Sequence, residues 1–294
     1  MKYLPYDLSP EELIHFTPEW QGERFSDGRP RVSDEVLEAV RKYVSLTFAW
    51  GVLKGHGYRW QFLRGFESTL PRGKMVGRAV TALYVPKRPD LRQLMLAHGH
   101  EAGEIGDMIS WPIDRLVEGD VYVADVFGKL VDGPIIGERL ASSIFANSSN
   151  GVVHNAAVRD LDAIERITGM NVYHRGFDPT HASPETIMLL GINCPMRMDD
   201  ITIMPGDVVL AEGGCVVFIP PHLAEYTAFS GMIEVYRDQF SVERMRTRTY
   251  TPGQIDGKWS DEIQDDFYDW LDRQPDVPFS RADMDRLDQS IRTW

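Results

Sequence analysis

Apolar residues recur at helical spacing in some parts of this chain and alternate or run together in others, and that order lays out the expected elements. Ser9-Pro10-Glu11-Glu12 combines an N-cap, a first-turn proline and a capping-box glutamate, so a short helix opens there. A second helix is expected from Ser33, with Asp34 and Glu35 in its first turn and Val36, Leu37, Val40 and Val44 along one face. Around Trp50, Tyr58, Trp60 and Phe62 the period is lost, and the segment reads as an irregular aromatic stretch. Residues 73–85 read as a strand entered through Gly73. Residues 86–118 read as an insertion between strands, with Leu91, Leu94 and Met95 at helical spacing ahead of a Gly/His-rich patch, His98-Gly99-His100-Glu101.

The stretch 119–160 organises the rest. A strand over 120–125, apolar at Val121 and Val123, leads into a loop broken by Gly128, Gly133 and Pro134. A helix then opens at Gly137 and buries Leu140, Ala141, Ile144 and Phe145, until Asn150-Gly151 stops it. A short apolar run, 151–153, returns the chain to Arg159-Asp160. A helix is expected over 161–167 and strands over 171–175, 200–204, 207–210 and 215–219. Gly119-Asp120 and Gly206-Asp207 each feed an alternating strand, an internal echo that suggests a compact β-rich core. From about residue 222 the pattern is helical. The tail sets Trp259, Phe267, Trp270 and Leu271 among charges and restarts at Ser280 and Asp283, ahead of Met284, Leu287 and Ile291. Its apolar face must pack on the chain's own core or on a neighbouring subunit.

Composition narrows the function classes. With 294 residues, 43% of them hydrophobic, there is ample material for a core. A formal net charge of −13 argues against nucleic acid and anionic membranes as partners. No apolar run reaches the length of a membrane span, and Met1-Lys2-Tyr3-Leu4-Pro5 lacks the apolar core of a signal peptide. Cys194 and Cys215 show no metal-type spacing, so a reducing cytoplasm is the expected location.

Three features can carry chemistry. The first backbone N–H groups of the Gly137 helix lack intrahelical partners and favour an anion, and Gly137 allows close approach; Glu138 or water could equally satisfy them. Arg159 can hold a carboxylate through paired hydrogen bonds and Asp160 can hold a hard cation; an ordinary ion pair, or Asp160 as N-cap of the next helix, is the simpler reading. The His98–Glu101 patch has zinc-ligand chemistry, but a polar loop is the expected reading. His15, His56, His174, His181 and His222 are scattered and read as structural or surface residues.

Several motifs occur in order: Gly77-Arg78-Ala79-Val80-Thr81, Gly119-Asp120-Val121 with Asp125, Gly137-Glu138-Arg139-Leu140, Gly151-Val152-Val153 and Ala157-Val158-Arg159-Asp160. Pro205-Gly206-Asp207-Val208-Val209 and Val216-Val217-Phe218-Ile219-Pro220 follow. The series resembles the RraA-like family, which includes divalent-metal 4-hydroxy-4-methyl-2-oxoglutarate/4-carboxy-4-hydroxy-2-oxoadipate aldolases and regulators of ribonuclease activity. The resemblance implies an α/β protein with a β/β/α swivelling-type core over 35–235. An N-terminal arm (1–34) and a helical C-terminal extension (236–294) would flank it, the latter available for oligomerisation. It implies homotrimers or homohexamers with active sites between subunits. Asp160 would anchor magnesium or manganese, and Arg159 would bind substrate. Gly137, Glu138, Arg139 and Leu140 would form the loop that binds a keto-acid carboxylate, with Glu138 positioning a water. Glu234 would be an acidic group from the neighbouring subunit. His154-Asn155 and Glu212 depart from the family's usual aspartate-glycine and aspartate, the first being expected to reshape the pocket floor.

The implied activity is a carbon–carbon lyase: an aldolase releasing pyruvate from a 4-hydroxy-2-keto acid, with oxaloacetate decarboxylation as a side activity. A hard, oxygen-preferring ion suits a single carboxylate ligand completed by waters, and it can polarise a keto-acid carbonyl. Two alternatives stand beside this one. One is a non-catalytic regulator binding a protein such as a ribonuclease. The other is a metal-dependent sugar-acid dehydratase, left open by Trp50, Trp60 and Trp111.

Overall fold

A computed structural model describes residues 7–181 and 185–291. Met1-Lys2-Tyr3-Leu4-Pro5 lies outside them. The expected capping signals form. Helix α1 (Pro10–Phe16) starts on Ser9, whose hydroxyl accepts the Glu12 N–H at 3.3 Å while the Glu12 carboxylate accepts the Ser9 N–H at 2.9 Å. Helix α2 (Asp34–Tyr43) starts on Ser33. The stretch expected to be irregular contains a further helix, α3 (Leu46–Gly55), capped by Ser45. It buries Ala49 and Leu53 and leaves Gly51 and Gly55 exposed, so its apolar residues do not trace the one-sided stripe that marks a helix in sequence.

Twelve strands are present among the described residues: β1 (Phe62–Leu63), β2 (Glu67–Ser68), β3 (Met75–Pro86), β4 (Asp120–Lys129), β5 (Val152–Val158), β6 (Val172–His174), β7 (Gly176–Phe177), β8 (Ile187–Ile192), β9 (Met196–Met198), β10 (Ile201–Ile203), β11 (Val208–Glu212) and β12 (Cys215–Ile219). The main sheet runs β1-β12-β11-β3-β4-β5-β6-β2, with β8 also on β3 and β7 also on β5. Its centre, β3-β4-β5-β6, is parallel. Parallel neighbours need crossovers, so residues 86–118 are the β3–β4 crossover and not an insertion. That crossover carries α4 (Pro89–Glu101), and His98 to Glu101 form its last turn, contrary to the expected loop. Gly99 is there for packing: a Cβ would lie 2.1 Å from the buried Trp111 ring.

The remaining helices are α5 (Glu138–Ser148), α6 (Leu161–Ile164), α7 (Pro221–Arg246), α8 (Pro252–Ile255), α9 (Asp261–Leu271) and α10 (Arg281–Ile291). In α5 the expected stripe is met, with Ala141 and Ile144 buried and Leu140 and Phe145 packed beside them. Helix α6 is a single turn, shorter than the expected 161–167. One sheet face is covered by α4 and α5, and the other by the β9–β10 hairpin, which packs Met196, Met198, Ile201 and Ile203 onto it. Helices α2, α3 and α7 cover the β11–β12 side. Helix α7 places Leu223, Ala224 and Ala228 in that cluster, then Ile233 and Phe240 among the C-terminal helices. The expected boundary at 235 therefore falls inside one helix. The Phe240 ring lies 5.4 Å from those of Trp259 and Phe267 and 5.8 Å from Trp270, so the tail packs on its own chain. The mixed α/β core with helical extensions is as expected.

Candidate functional site

Strand β5 is hydrogen-bonded to parallel neighbours and buried at all seven positions, longer than the 151–153 run read from sequence. It ends by delivering Arg159 and Asp160 to the start of α5. The Arg159 N–H donates to the Ile136 carbonyl at 3.1 Å, tying the two segments together. Asp160 has φ 55°, a left-handed conformation that costs a non-glycine residue roughly 1–3 kcal/mol. In that conformation its side chain does not cap α6. Instead Oδ2 accepts the Glu138 N–H at 3.3 Å, so the carboxylate sits at the positive end of α5. Asp160 thus keeps the expected N-cap position of α6, its carbonyl accepting the Ala163 and Ile164 N–H groups, but without a side-chain cap, and one of the α5 amides expected to be free is already engaged.

Gly137 makes this corner possible. A Cβ there would lie 2.5 Å from Asp160 Oδ2 and 2.9 Å from Arg159 Nε, so any side chain would force both groups to move. The two charged side chains are 39% and 48% exposed, so neither is committed to the interior. Arg159 Nε is 3.9 Å from Asp160 Oδ2, too far for a hydrogen bond, and has no hydrogen-bond partner although that atom is shielded. Glu138 and Arg139 are exposed at the helix start, whereas the Leu140 side chain packs on the core. The corner thus sets an under-used guanidinium, an accessible carboxylate and a helix N-terminus side by side.

Earlier on β5 a polar chain runs from the buried Asp125 and Asn155 out to Arg175 and the exposed Asp199. Asn155 donates to Asp125 Oδ1 at 2.7 Å and accepts from Arg175 Nε at 2.8 Å. Arg175 also reaches Asp199 at 2.6 Å and stacks 3.9 Å over Phe66. Burial pushes the Asp125 carboxyl up, against the lowering effect of the Asn155 hydrogen bond. His154 does not floor the site: strand alternation turns it to the face of Val152, Ala156 and Val158, where it is wholly buried. Neither ring nitrogen has a hydrogen-bond partner, and burial pushes its pKa down to about 3. Asn155 is therefore the member of the His154-Asn155 departure that faces polar neighbours. Glu212 ends β11 opposite Cys215.

Glu234 stands on α7 and lines a cavity of about 690 Å³ with residues of α3 and α9; within one chain it shares neither a hydrogen bond nor that cavity with Asp160. Burial and the neighbouring Asp238 push its carboxyl up. No group of three or more His, Cys, Asp and Glu converges on a metal-sized point among the described residues. Asp160 alone can anchor an ion, through Oδ1, which is free of protein partners among them, and this donor set fits a hard cation that keeps most of its waters.

The profile of the RraA-like family, described as Aldolase/RraA, matches residues 30–217. The chain belongs to the RraA-like family. An RraA-like structure from Streptomyces coelicolor, RraAS2, described as an unusual member of the RNase ES inhibitor RraA family, superposes with a TM-score of 0.59 at 21% identity over 72% of this chain and 97% of that one. An uncharacterised protein from Pseudomonas syringae superposes with a TM-score of 0.60 at 22% identity, covering 77% and 98% of the two chains. These similarities concern the fold. Protein DlpA of Legionella pneumophila is 28% identical over 147 residues, which are 50% of this chain and only 22% of that protein. Among the described residues no helix is long and apolar enough to cross a membrane.

Most of the RraA-like motif residues build the sheet. Gly77 lets Gly119 and Asn150 approach, a Cβ there meeting atoms of both at 2.5 Å, and Thr81 donates to the Cys194 carbonyl at 2.8 Å. Arg78 donates to the Val32 and Glu118 carbonyls and faces Asp120, which Arg29 also meets at 3.1 Å. Sequence reading missed Arg29 as the partner of Asp120. Its only local sign is the Asp27-Gly28 turn that precedes it, because the contact spans some 90 residues of sequence.

Proposed function

We propose that this RraA-like chain is a magnesium- or manganese-dependent carbon–carbon lyase that splits a 4-hydroxy-2-keto acid and releases pyruvate, with oxaloacetate decarboxylation as a side activity. The observation that carries the reading is the Gly137 corner, where a missing side chain lets Arg159 and Asp160 meet the start of α5. Asp160 holds the ion, which when bound supplies Lewis acidity at the keto-acid carbonyl. Arg159 grips a substrate carboxylate with its free guanidinium edge, and the Arg139 and Leu140 amides add the attraction of the helix terminus. Glu138, exposed beside them, orders the water that takes the hydroxyl proton. The bond next to that hydroxyl breaks, its electron pair stays with the keto-acid half, and a proton returned to that carbon completes pyruvate.

Subunit assembly belongs to the same proposal. Phe127 near the end of β4, Leu130 and Val131 on the loop after it, and Phe177 on β7, which pairs with β5 next to the corner, are exposed. A second copy covering them in a homotrimer or homohexamer would enclose an otherwise open site and bring Glu234 or another acid to it. A cytoplasmic location fits the two free thiols. The aromatics that left a sugar acid open do not favour it, since Trp111 is core and Trp50 and Trp60 line other cavities. Pyruvate release from 4-hydroxy-4-methyl-2-oxoglutarate and from oxaloacetate, with magnesium and with a chelator, tests the proposal. Metal-dependent release is expected. Its absence from a folded protein would turn the reading to a protein-binding regulator.

A further inference from the structure

The two Gly-Asp turns that echo each other in sequence share one geometry and differ in one partner. The Val117 N–H donates to Asp120 Oδ2 at 3.0 Å, and the Met204 N–H donates to Asp207 Oδ2 at 2.9 Å, each three residues upstream of its acceptor. Both carboxylates are buried, at 0% and 2% exposure. Asp120 has Arg29 and Arg78 beside it. Asp207 has no cation, and Oδ1 has no hydrogen-bond partner among the described residues. Register explains the difference. Arg78 on β3 lies opposite Asp120 on one side and Val208 on the other, so the residue before Val208 falls on the opposite sheet face, beyond the arginine's reach.

On that side Asp207 lines a cavity of about 520 Å³. Trp20, Tyr58 and Trp60 supply aromatic wall, and Trp20 is held in place by its indole N–H, which donates to the Glu23 carbonyl at 2.8 Å. Glu19 and Asp200 add negative charge against one cation, Arg59, and burial pushes the pKa of His222 down, which keeps that ring neutral. Aromatic faces around an unpaired carboxylate attract a cation that can also donate hydrogen bonds. We propose that this cavity binds a small organic cation carrying N–H donors, a guanidinium or primary ammonium group, with Asp207 as its counter-ion. Trp20 and Glu19 lie outside the matched segment 30–217, so the site belongs to the chain's N-terminal arm as much as to the shared core. It does not depend on the lyase reading.

Burial pushes the Asp207 carboxyl up to about 8, so the empty site holds a proton at neutral pH and an arriving cation displaces it. The other titratable groups facing the cavity are Glu19, Tyr58, Arg59, Asp200 and His222; burial moves the Tyr58 hydroxyl up and the His222 ring down, both away from pH 7. Titration calorimetry of the full chain with n-butylguanidinium and with its neutral isostere n-butylurea, in buffers of different ionisation enthalpy, tests this. The expected result is at least about tenfold tighter binding of the guanidinium, release of a proton at pH 7, and loss of the preference in Asp207→Asn. Equal binding of the two probes, no binding of either, or a preference that survives in Asp207→Asn would overturn the proposal. Should that variant fail to fold, the probe pair and the proton count on the unaltered chain decide the matter alone.

Discussion

Arginine and aspartate meet at both ends of strands in this sheet, and the two meetings have opposite consequences. At the start of β4, Asp120 is fully buried and sits between Arg29, which also donates to Asp27, and Arg78, which also donates to two backbone carbonyls and Asp34. At the end of β5, Arg159 and Asp160 are 39% and 48% exposed, too far apart to satisfy each other, and pressed against a helix start by a glycine. Residue type is the same in both places. Saturation and burial decide that one pair holds the protein together and the other is available to a ligand.

The strongest way to break this comparison is to remove Asp120. Asp120→Ala leaves two buried guanidinium groups with only the more exposed Asp27 and Asp34 as counter-charges and is expected to cost about 3 kcal/mol of unfolding free energy, read by urea titration. A loss below about 1 kcal/mol would mean that the buried pair is not structural. Next comes Gly137→Ala, whose methyl group must displace Asp160 and Arg159. Metal-dependent turnover is expected to fall by about 100-fold or more in a protein that still folds, because a misplacement of an ångström is enough.

Two pH dependences sharpen the point about unpartnered groups. His154 is held near pKa 3 in the fold against an ordinary 6.5, so its contribution to stability is complete above pH 6.5 and is lost as pH falls toward 3. The urea midpoint is expected to drop between pH 7 and 5, and His154→Leu to flatten that drop by on the order of 1–3 kcal/mol. Asp207 runs the other way. Its fold-raised pKa of about 8, against 3.8, gives a contribution present below pH 4 and lost as pH rises to about 8. Asp207→Asn, which keeps an acceptor for Met204, is expected to be the more stable protein at pH 8 by about 1–2 kcal/mol and to lose that advantage near pH 4. The smallest stability effect is expected for Asp160→Gly, within about 1 kcal/mol, since glycine relieves the left-handed backbone that aspartate strains.

Local signals were legible in the sequence wherever physics is local. Ser9 and Ser33 cap the helices they announce, and the Leu140–Phe145 stripe packs as its spacing requires. Helix α3 was hidden because two glycines and all-round apolar residues blur its period, and β5 because His154-Asn155 interrupts an apolar run that burial on both faces would otherwise make continuous. The glycine of His98-Gly99-His100 signalled a helix packed on Trp111, which only the tertiary structure can show. At the candidate site, Arg159, Asp160 and Gly137 were all found in the sequence, because the family resemblance singled out the pair. What was not legible is direction: that the Asp160 carboxylate turns back to α5 while its carbonyl starts α6, and that Glu234 faces the C-terminal helices of its own chain. The Asp207 cavity was out of reach for the same reason, since its walls come from segments up to about 200 residues apart.

Assaying pyruvate release from 4-hydroxy-4-methyl-2-oxoglutarate for the unaltered chain and for Asp160→Gly, with magnesium and with chelator, tests the lyase reading most directly. Turnover that needs magnesium and falls at least about 1,000-fold in the variant, with the unfolding midpoint nearly unmoved, is the expected result. Undiminished turnover in Asp160→Gly, or no release from the unaltered chain at any magnesium concentration, would contradict it.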